Sequence, residues 1–152
     1  MSVDVRLGGP DEWDAVCDVW RAAAEARTGR AARPPRVVAD QFVVVADDDG
    51  VVGILIGCAA REEGGTGKPI PGLAHLATVA VLPERWGQGI GAALVDRFLD
   101  EAWARDYDRA QLFTAADNTR AQALYERLGW TRSGFETTND IGIPIVHYER
   151  AM

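Results

Sequence analysis

The segment Trp86-Gly87-Gln88-Gly89-Ile90-Gly91 sets glycines at alternate positions between an apolar run ending near Val81 and a run of helical periodicity starting at Ile90. Strand, glycine loop and helix in that order is a layout for binding an anion. The first turn of a helix carries unpaired N–H groups and a partial positive charge, and glycines let a phosphate approach the backbone without meeting a Cβ. Residues 87–92 also satisfy the loose dinucleotide pattern G-x-G-x-x-[GA]. Context disfavours that reading, because a dinucleotide loop follows the first strand of its domain and here about four strands and a long helix come earlier. Gly64-Gly65-Thr66-Gly67-Lys68 resembles a phosphate loop but fails as one: Glu62 stands where the first glycine belongs and Pro69 replaces the magnesium-binding hydroxyl.

The elements that would position the loop are legible in the flanking periodicities. Residues 3–7 read as a first strand. Gly9-Pro10 with Asp11 and Glu12 is a helix start, and Trp13, Val16, Cys17, Trp20 and Ala24 repeat as an expected core stripe. Residues 30–35 are a basic, proline-containing connection, and 37–41 are expected to form a short helical segment. Residues 42–46 and 51–60 read as strands joined through the turn Asp47-Asp48-Asp49-Gly50. A loop over 62–71 leads to a strand over 75–81, closed by Pro83. The next helix buries Ile90, Leu94, Val95, Phe98, Leu99 and Ala102. After a strand over 110–115, Asp117-Asn118 opens a helix with Ala121, Leu124, Tyr125 and Leu128 on one face, and Gly129 closes it. Trp130 begins the final strands, the last over 143–150 with His147 and Tyr148 on opposite faces.

A chain of 152 residues, 47% hydrophobic and 26% charged, suits one domain over residues 1–152 with enough apolar matter for a core. A net charge of −7 argues against nucleic-acid binding and suits a cationic partner. Cys17 and Cys58 lie far apart with no Cys/His cluster at ligand spacing, so no metal site is expected. Acids at 4, 11, 12, 14 and 18 exclude the apolar core of a signal peptide, and no apolar run approaches the ~20 residues of a membrane span. A cytoplasmic location with reduced thiols is expected.

Two separated motifs resemble those of the GNAT superfamily of acyl-CoA N-acyltransferases, over roughly residues 3–150. One is the pyrophosphate loop [Gln or Arg]-x-x-Gly-x-[Gly or Ala], aligned to residues 86–91. The other is Asn-x-x-Ala-x-x-x-Tyr-x-x-x-Gly-aromatic, matched by Asn118, Ala121, Tyr125, Gly129 and Trp130. Trp86 departs from the usual Gln or Arg. A literal match in the shifted frame of residues 88–93 would push the loop into the helix.

The resemblance implies an α/β (α+β) fold with a mixed, mostly antiparallel central sheet, helices on its flanks, and a splay between the two central parallel strands. It implies acetyl-CoA as co-substrate, without a metal, and direct transfer of acetyl to an amine in a ternary complex. Val79, Ala80 and Val81 would pair with the pantetheine arm, with an amide near Val81 polarising the thioester carbonyl. The amides of Gly87, Gln88, Gly89, Ile90, Gly91 and Ala92 would take the pyrophosphate. Asn118 would orient the pantetheine, cap its helix, or do both. Tyr125 matches the general acid that protonates the departing thiolate, although a tyrosine on that apolar stripe also reads as a core residue with a hydrogen-bonded hydroxyl. His75 is the first candidate for a general base, since it precedes the cofactor strand and 75, 77, 79 and 81 share one side of it. His147 and the acids Glu62 and Glu63 are weaker ones. The acceptor, a small-molecule or peptide amine, would be chosen by residues 13–35, 62–71 and 133–144, where Glu62, Glu63, Glu136 and Asp140 suit a cation. A non-catalytic coenzyme A-binding sensor or partner module stays open, as does a homodimer.

Overall fold

The computed structural model describes residues 3–152. Its strands are β1 (Asp4–Leu7), β2 (Phe42–Asp47), β3 (Val51–Arg61), β4 (Pro69–Val81), β5 (Arg109–Ala115), β6 (Thr131–Thr138) and β7 (Pro144–Ala151). They form one sheet in the order β1-β2-β3-β4-β5-β7-β6, in which β4 and β5 run parallel and all other neighbours antiparallel. The helices are α1 (Trp13–Thr28), α2 (Glu62–Gly65, a single distorted turn), α3 (Ile90–Ala104) and α4 (Thr119–Arg127). No helix among the described residues is long and apolar enough to cross a membrane.

Helices on both faces explain why β3 is a continuous apolar run rather than an alternating one: residues 52–60 are all buried. On one face Val16, Val19 and Ala23 of α1 pack on Val45, Ile54, Ile56 and Ala80. On the other, Ile90, Leu94, Val95, Phe98 and Ala102 of α3, joined by Tyr125 of α4, cover Leu55, Leu76, Leu112 and Tyr148. Glycines at 53 and 57 let α3 sit close, since a Cβ there would meet Ile90 and Leu94, or Phe42 and Phe98.

Local signals set the ends of the elements. Glu12 accepts from Gly9 N–H at 2.9 Å and holds the Arg6 guanidinium at 2.8 Å, and this pairing pulls its carboxyl down to about 2. Gly29, at φ +72°, closes α1 by donating to Glu25 O at 2.7 Å. Asp47 accepts from Gly50 N–H at 3.0 Å across the β2–β3 turn.

The structure corrects four expectations. The buried face of α1 is Val16, Val19 and Ala23, with Cys17 half-buried and Trp13 and Trp20 at its margin. Trp20 is drawn outward because its indole N–H donates to Arg33 O at 2.6 Å. Residues 37–41 form no helix: Gln41 N–H closes a tight turn on Val38 O, and its side chain accepts from Val38 N–H. β4 begins at Pro69, so residues 62–68 are a hairpin tip bonded to itself, Glu62 N–H to Lys68 O and Gly67 N–H to Glu62 O. Finally, β4 carries a bulge. Ile56 pairs with Thr78 and Gly57 with Leu76, leaving Ala77 as an extra residue that resets the alternation. Ala74, Leu76, Val79 and Val81 therefore face α3, and His75 and Ala80 face the other way; 75 and 79 do not share a side.

Candidate active site

The parallel ladder between β4 and β5 runs from Leu73–Arg109 to Leu76–Leu112 and stops there. Beyond it β4 stays paired with β3 as far as Val81, and β5 with β7 as far as Ala115, so the two strands part while each is held on its outer side. This is the expected splay. Leu82 N–H donates to Val52 O at 2.9 Å, toward β3. Because successive peptide groups alternate in direction, those of Val79 and Val81 point into the gap. The Val81 carbonyl is taken by Trp86 Nε1 at 2.7 Å; the Val79 peptide groups and Val81 N–H face the gap where β4 and β5 part, with backbone groups an extended chain could pair with.

At the open end of the gap the backbone turns through Pro83–Arg85 into the glycine loop. Gly87 and Gly89 both sit at φ +80°, where L side chains are strained, and nothing lies within 4 Å of where their Cβ atoms would be. Gly89 caps α3, its carbonyl taking the first helical bond from Ala93 N–H at 3.1 Å. Among the described residues the N–H groups of 87 through 92 have no acceptor. Helix α3 starts at Ile90, so the frame is that of residues 86–91 and the shifted one falls inside the helix. A run of free N–H groups at a helix N-terminus, with clearance above both glycines, fits a diphosphate.

Two side chains complete the loop that sequence reasoning left unassigned. Arg85 lies against Gln88 at 2.9 Å and Asp48 at 2.8 Å. Arg120, on the first turn of α4, holds its guanidinium 5.0 Å from the Trp86 ring centre. Trp86 thus ties off the strand-end carbonyl and brings a cation toward the loop from another element. The signal for that pair was the departure at Trp86 itself, but no local pattern links it to position 120.

Tyr125 is 3% exposed, packed edge-on against Trp130 at 5.9 Å and tilted against Tyr148 at 6.1 Å. Tyr148 is the ordinary core tyrosine, its hydroxyl donating to Glu126 at 2.7 Å and pushed up to about 12 by burial and that carboxylate. Tyr125 differs. Its hydroxyl has no hydrogen-bond partner among the described residues, yet it is not sealed in, since Trp130 Nε1 is the enclosed side-chain atom left without one. Burial alone pushes its phenol well above the usual range, so it holds its proton. Asn118 caps α4, Oδ1 accepting from Ala121 N–H at 3.2 Å.

His75 stands on the opposite sheet face from Val79 and Val81. Its Nδ1 lies 3.4 Å from Gln111 Nε2, and its ring is 6.2 Å from Phe113. Burial, then the neighbouring His147, pulls its pKa down to about 4, so the imidazole is neutral at physiological pH. His147 lies near it, across Gln111, while Glu62 and Glu63 are exposed at the far hairpin tip.

Residues 12–130 match the model of the acetyltransferase (GNAT) family. The chain belongs to that family. A mycothiol acetyltransferase of Beutenbergia cavernae is 47% identical over 53 residues, which is 35% of this chain and 18% of that protein. The chain thus spans about a fifth of the length of the curated relatives it matches first. The ribosomal-protein-S18-alanine N-acetyltransferase of Escherichia coli superposes with a TM-score of 0.75 at 18% identity, covering 99% of this chain and 94% of the other. An N-acetyltransferase of Thermoplasma acidophilum in complex with coenzyme A superposes with a TM-score of 0.72 at 14% identity over the whole of both chains. At such identities the likeness shows the GNAT fold.

Proposed function

We propose that this GNAT-family chain transfers acetyl from acetyl-CoA to an amine by direct attack within a ternary complex. The observation that carries the reading is the continuity of the free N–H groups of 87–92 with the open slot of Val79 and Val81. One site suits a diphosphate, the other the extended arm attached to it. Acetyl-CoA, as co-substrate, supplies the activated thioester.

The chain's own residues would divide the work as follows. Gly87, Gln88, Gly89, Ile90, Gly91 and Ala92 hold the diphosphate by N–H groups, with Arg120 adding positive charge. Val79 and Val81 align the arm through their peptide groups, Ala80 anchors that strand on α1, and Val81 N–H is free to polarise the acyl carbonyl. Asn118 fixes the start of α4 and has its side-chain N–H groups left for the arm. Tyr125 gives its hydroxyl proton to the departing sulfur and regains one from water. The desolvation that raises the phenol acts equally on a thiolate formed beside it, so the proton moves between two groups raised alike. His75, across the sheet from Val79 and Val81, would lie on the acceptor side. At about 4 it is too weak a base to strip an alkylammonium. The nucleophile is the neutral fraction of the amine, whose nitrogen sheds its proton to water once bonding to carbon makes it acidic.

The relatives are named for mycothiol and for a ribosomal-protein alanine, which leaves the acceptor class as broad as an amine of a small molecule or a protein. The test is release of free coenzyme A thiol from acetyl-CoA across an amine panel. Amine-dependent release is the expected result; binding of acetyl-CoA without release points to the sensor reading.

A further inference from the structure

The chain has two histidines, and a single amide joins them on the sheet face that α1 leaves uncovered beyond β4. The row crosses four strands. Phe135 N–H donates to Ser133 Oγ at 3.1 Å on β6; Ser133 Oγ lies 2.7 Å from His147 Nδ1 on β7. His147 Nε2 lies 3.0 Å from Gln111 Oε1 on β5, and Gln111 Nε2 lies 3.4 Å from His75 Nδ1 on β4. The Phe113 ring packs on both imidazoles, 4.8 Å from His147 and 6.2 Å from His75, so their planes are fixed by packing as well.

An amide has one accepting and one donating end, so two imidazoles bonded to the same amide must present opposite roles to it. The direction is set at the amide, whose oxygen, 3.0 Å from His147 Nε2, can only accept. The neutral His147 ring then has Nδ1 free to accept the Ser133 hydroxyl hydrogen, while a lone pair of the Ser133 oxygen takes Phe135 N–H. Glu149 at 3.7 Å from Nδ1 is too far to compete as an acceptor. His147 then carries its proton on Nε2 and donates to Gln111, whose N–H donates to His75 Nδ1. Ser133, His147 and Gln111 each accept once and donate once within the row, an arrangement in which successive bonds polarise one another.

We propose that Gln111 is a positioning residue that links both imidazoles into one head-to-tail row and fixes His75 as a neutral Nε2–H donor beside the vertex of the splay. Protonating His75 at Nδ1 would require reversing the row, which opposes titration. The inference deepens the acetyl-transfer reading and rests on it for the use of the donor, though not for the tautomer. In that reading His75 serves an oxygen, on the acceptor beside its amine or on the acyl group, rather than taking the amine's proton. The groups facing the row are Cys58 of β3, opposite His75 and near Asp40 and Arg61, and Glu149 of β7; α1 presents Val16, Val19 and Ala23 to this side.

With two histidines, imidazole ¹⁵N spectra of the uniformly labelled protein give one pair of signals for each. Both should report the Nε2–H tautomer at pH 7, with His75 unprotonated below pH 5. In Gln111→Glu the carboxylate can only accept, so the His75 proton should move to Nδ1 and its midpoint rise by about one pH unit or more. In Ser133→Ala, at the exposed end of the row, the His147 tautomer should become mixed; this variant decides the matter should Gln111→Glu not fold. A wild-type His75 protonated on Nδ1, or titrating near 6.5, overturns the proposal. Loss of amine-dependent thiol release with these tautomers intact would sink the function and leave the row standing.

Discussion

The two faces of the sheet at the splay hold their titratable groups in opposite ways. On the α3 face, Tyr125 sits in an apolar setting with no hydrogen-bond partner for its hydroxyl among the described residues, and burial alone pushes its phenol further up. On the opposite face, His75 belongs to a row in which every polar atom between Phe135 N–H and Nδ1 is engaged. An isolated group can release its proton at no cost to a network. A networked group is held in one state. In the proposed reading, proton donation to the sulfur belongs to the first face and orientation of the acceptor to the second.

The sharpest way to break this contrast is Tyr125→Phe. Turnover should fall by roughly 10²-fold or more, in line with general-acid effects, while acetyl-CoA affinity stays within about twofold. Unchanged turnover would leave Tyr125 a core residue like Tyr148. Next is Gly89→Asp, which adds a Cβ at φ +80° and a negative charge among the free N–H groups. Coenzyme A affinity measured by calorimetry should drop about 10²-fold without loss of the fold, since nothing lies near the new atom.

The opposite face should show itself in pH dependence. The His75 pKa of about 4 lies below its unfolded value near 6.5, so the unfolded chain binds the extra proton. The associated stability is fully present above pH 6.5 and is lost as pH falls toward 4, by about 3 kcal/mol at most. His75→Gln should flatten that part of a Tm-versus-pH curve; an unaltered curve would show that His75 is not held neutral. The smallest effect belongs to Arg120→Ala, where loss of a largely exposed cation above Trp86 should weaken coenzyme A by a few-fold and make binding less sensitive to salt.

What was legible in the chain was what short-range patterns encode. The Ile90 to Ala102 stripe, the Asp47–Gly50 turn, the glycines at 87 and 89 and the Asn118 cap each follow from residues within a few positions of one another. The bulge at Ala77 was not legible, because it arises from register with β3 across the sheet, and it moved His75 to the other face. The Gln111 bridge and the Arg120–Trp86 pair join residues about 35 positions apart, which no window of local sequence relates. Residues 37–41, expected to be helical, instead turn on themselves, with Val38 N–H donating to the Gln41 side chain.

The central claim is that the loop of residues 87–92 grips a diphosphate whose tail lies in the slot beside Val79 and Val81. Calorimetric titration of coenzyme A, of pantetheine and of NAD into the wild-type protein tests it most directly. Coenzyme A should bind, pantetheine should bind at least about 10²-fold more weakly for want of the diphosphate, and NAD should not compete. Equal affinity for coenzyme A and pantetheine, or tighter binding of NAD, would contradict it.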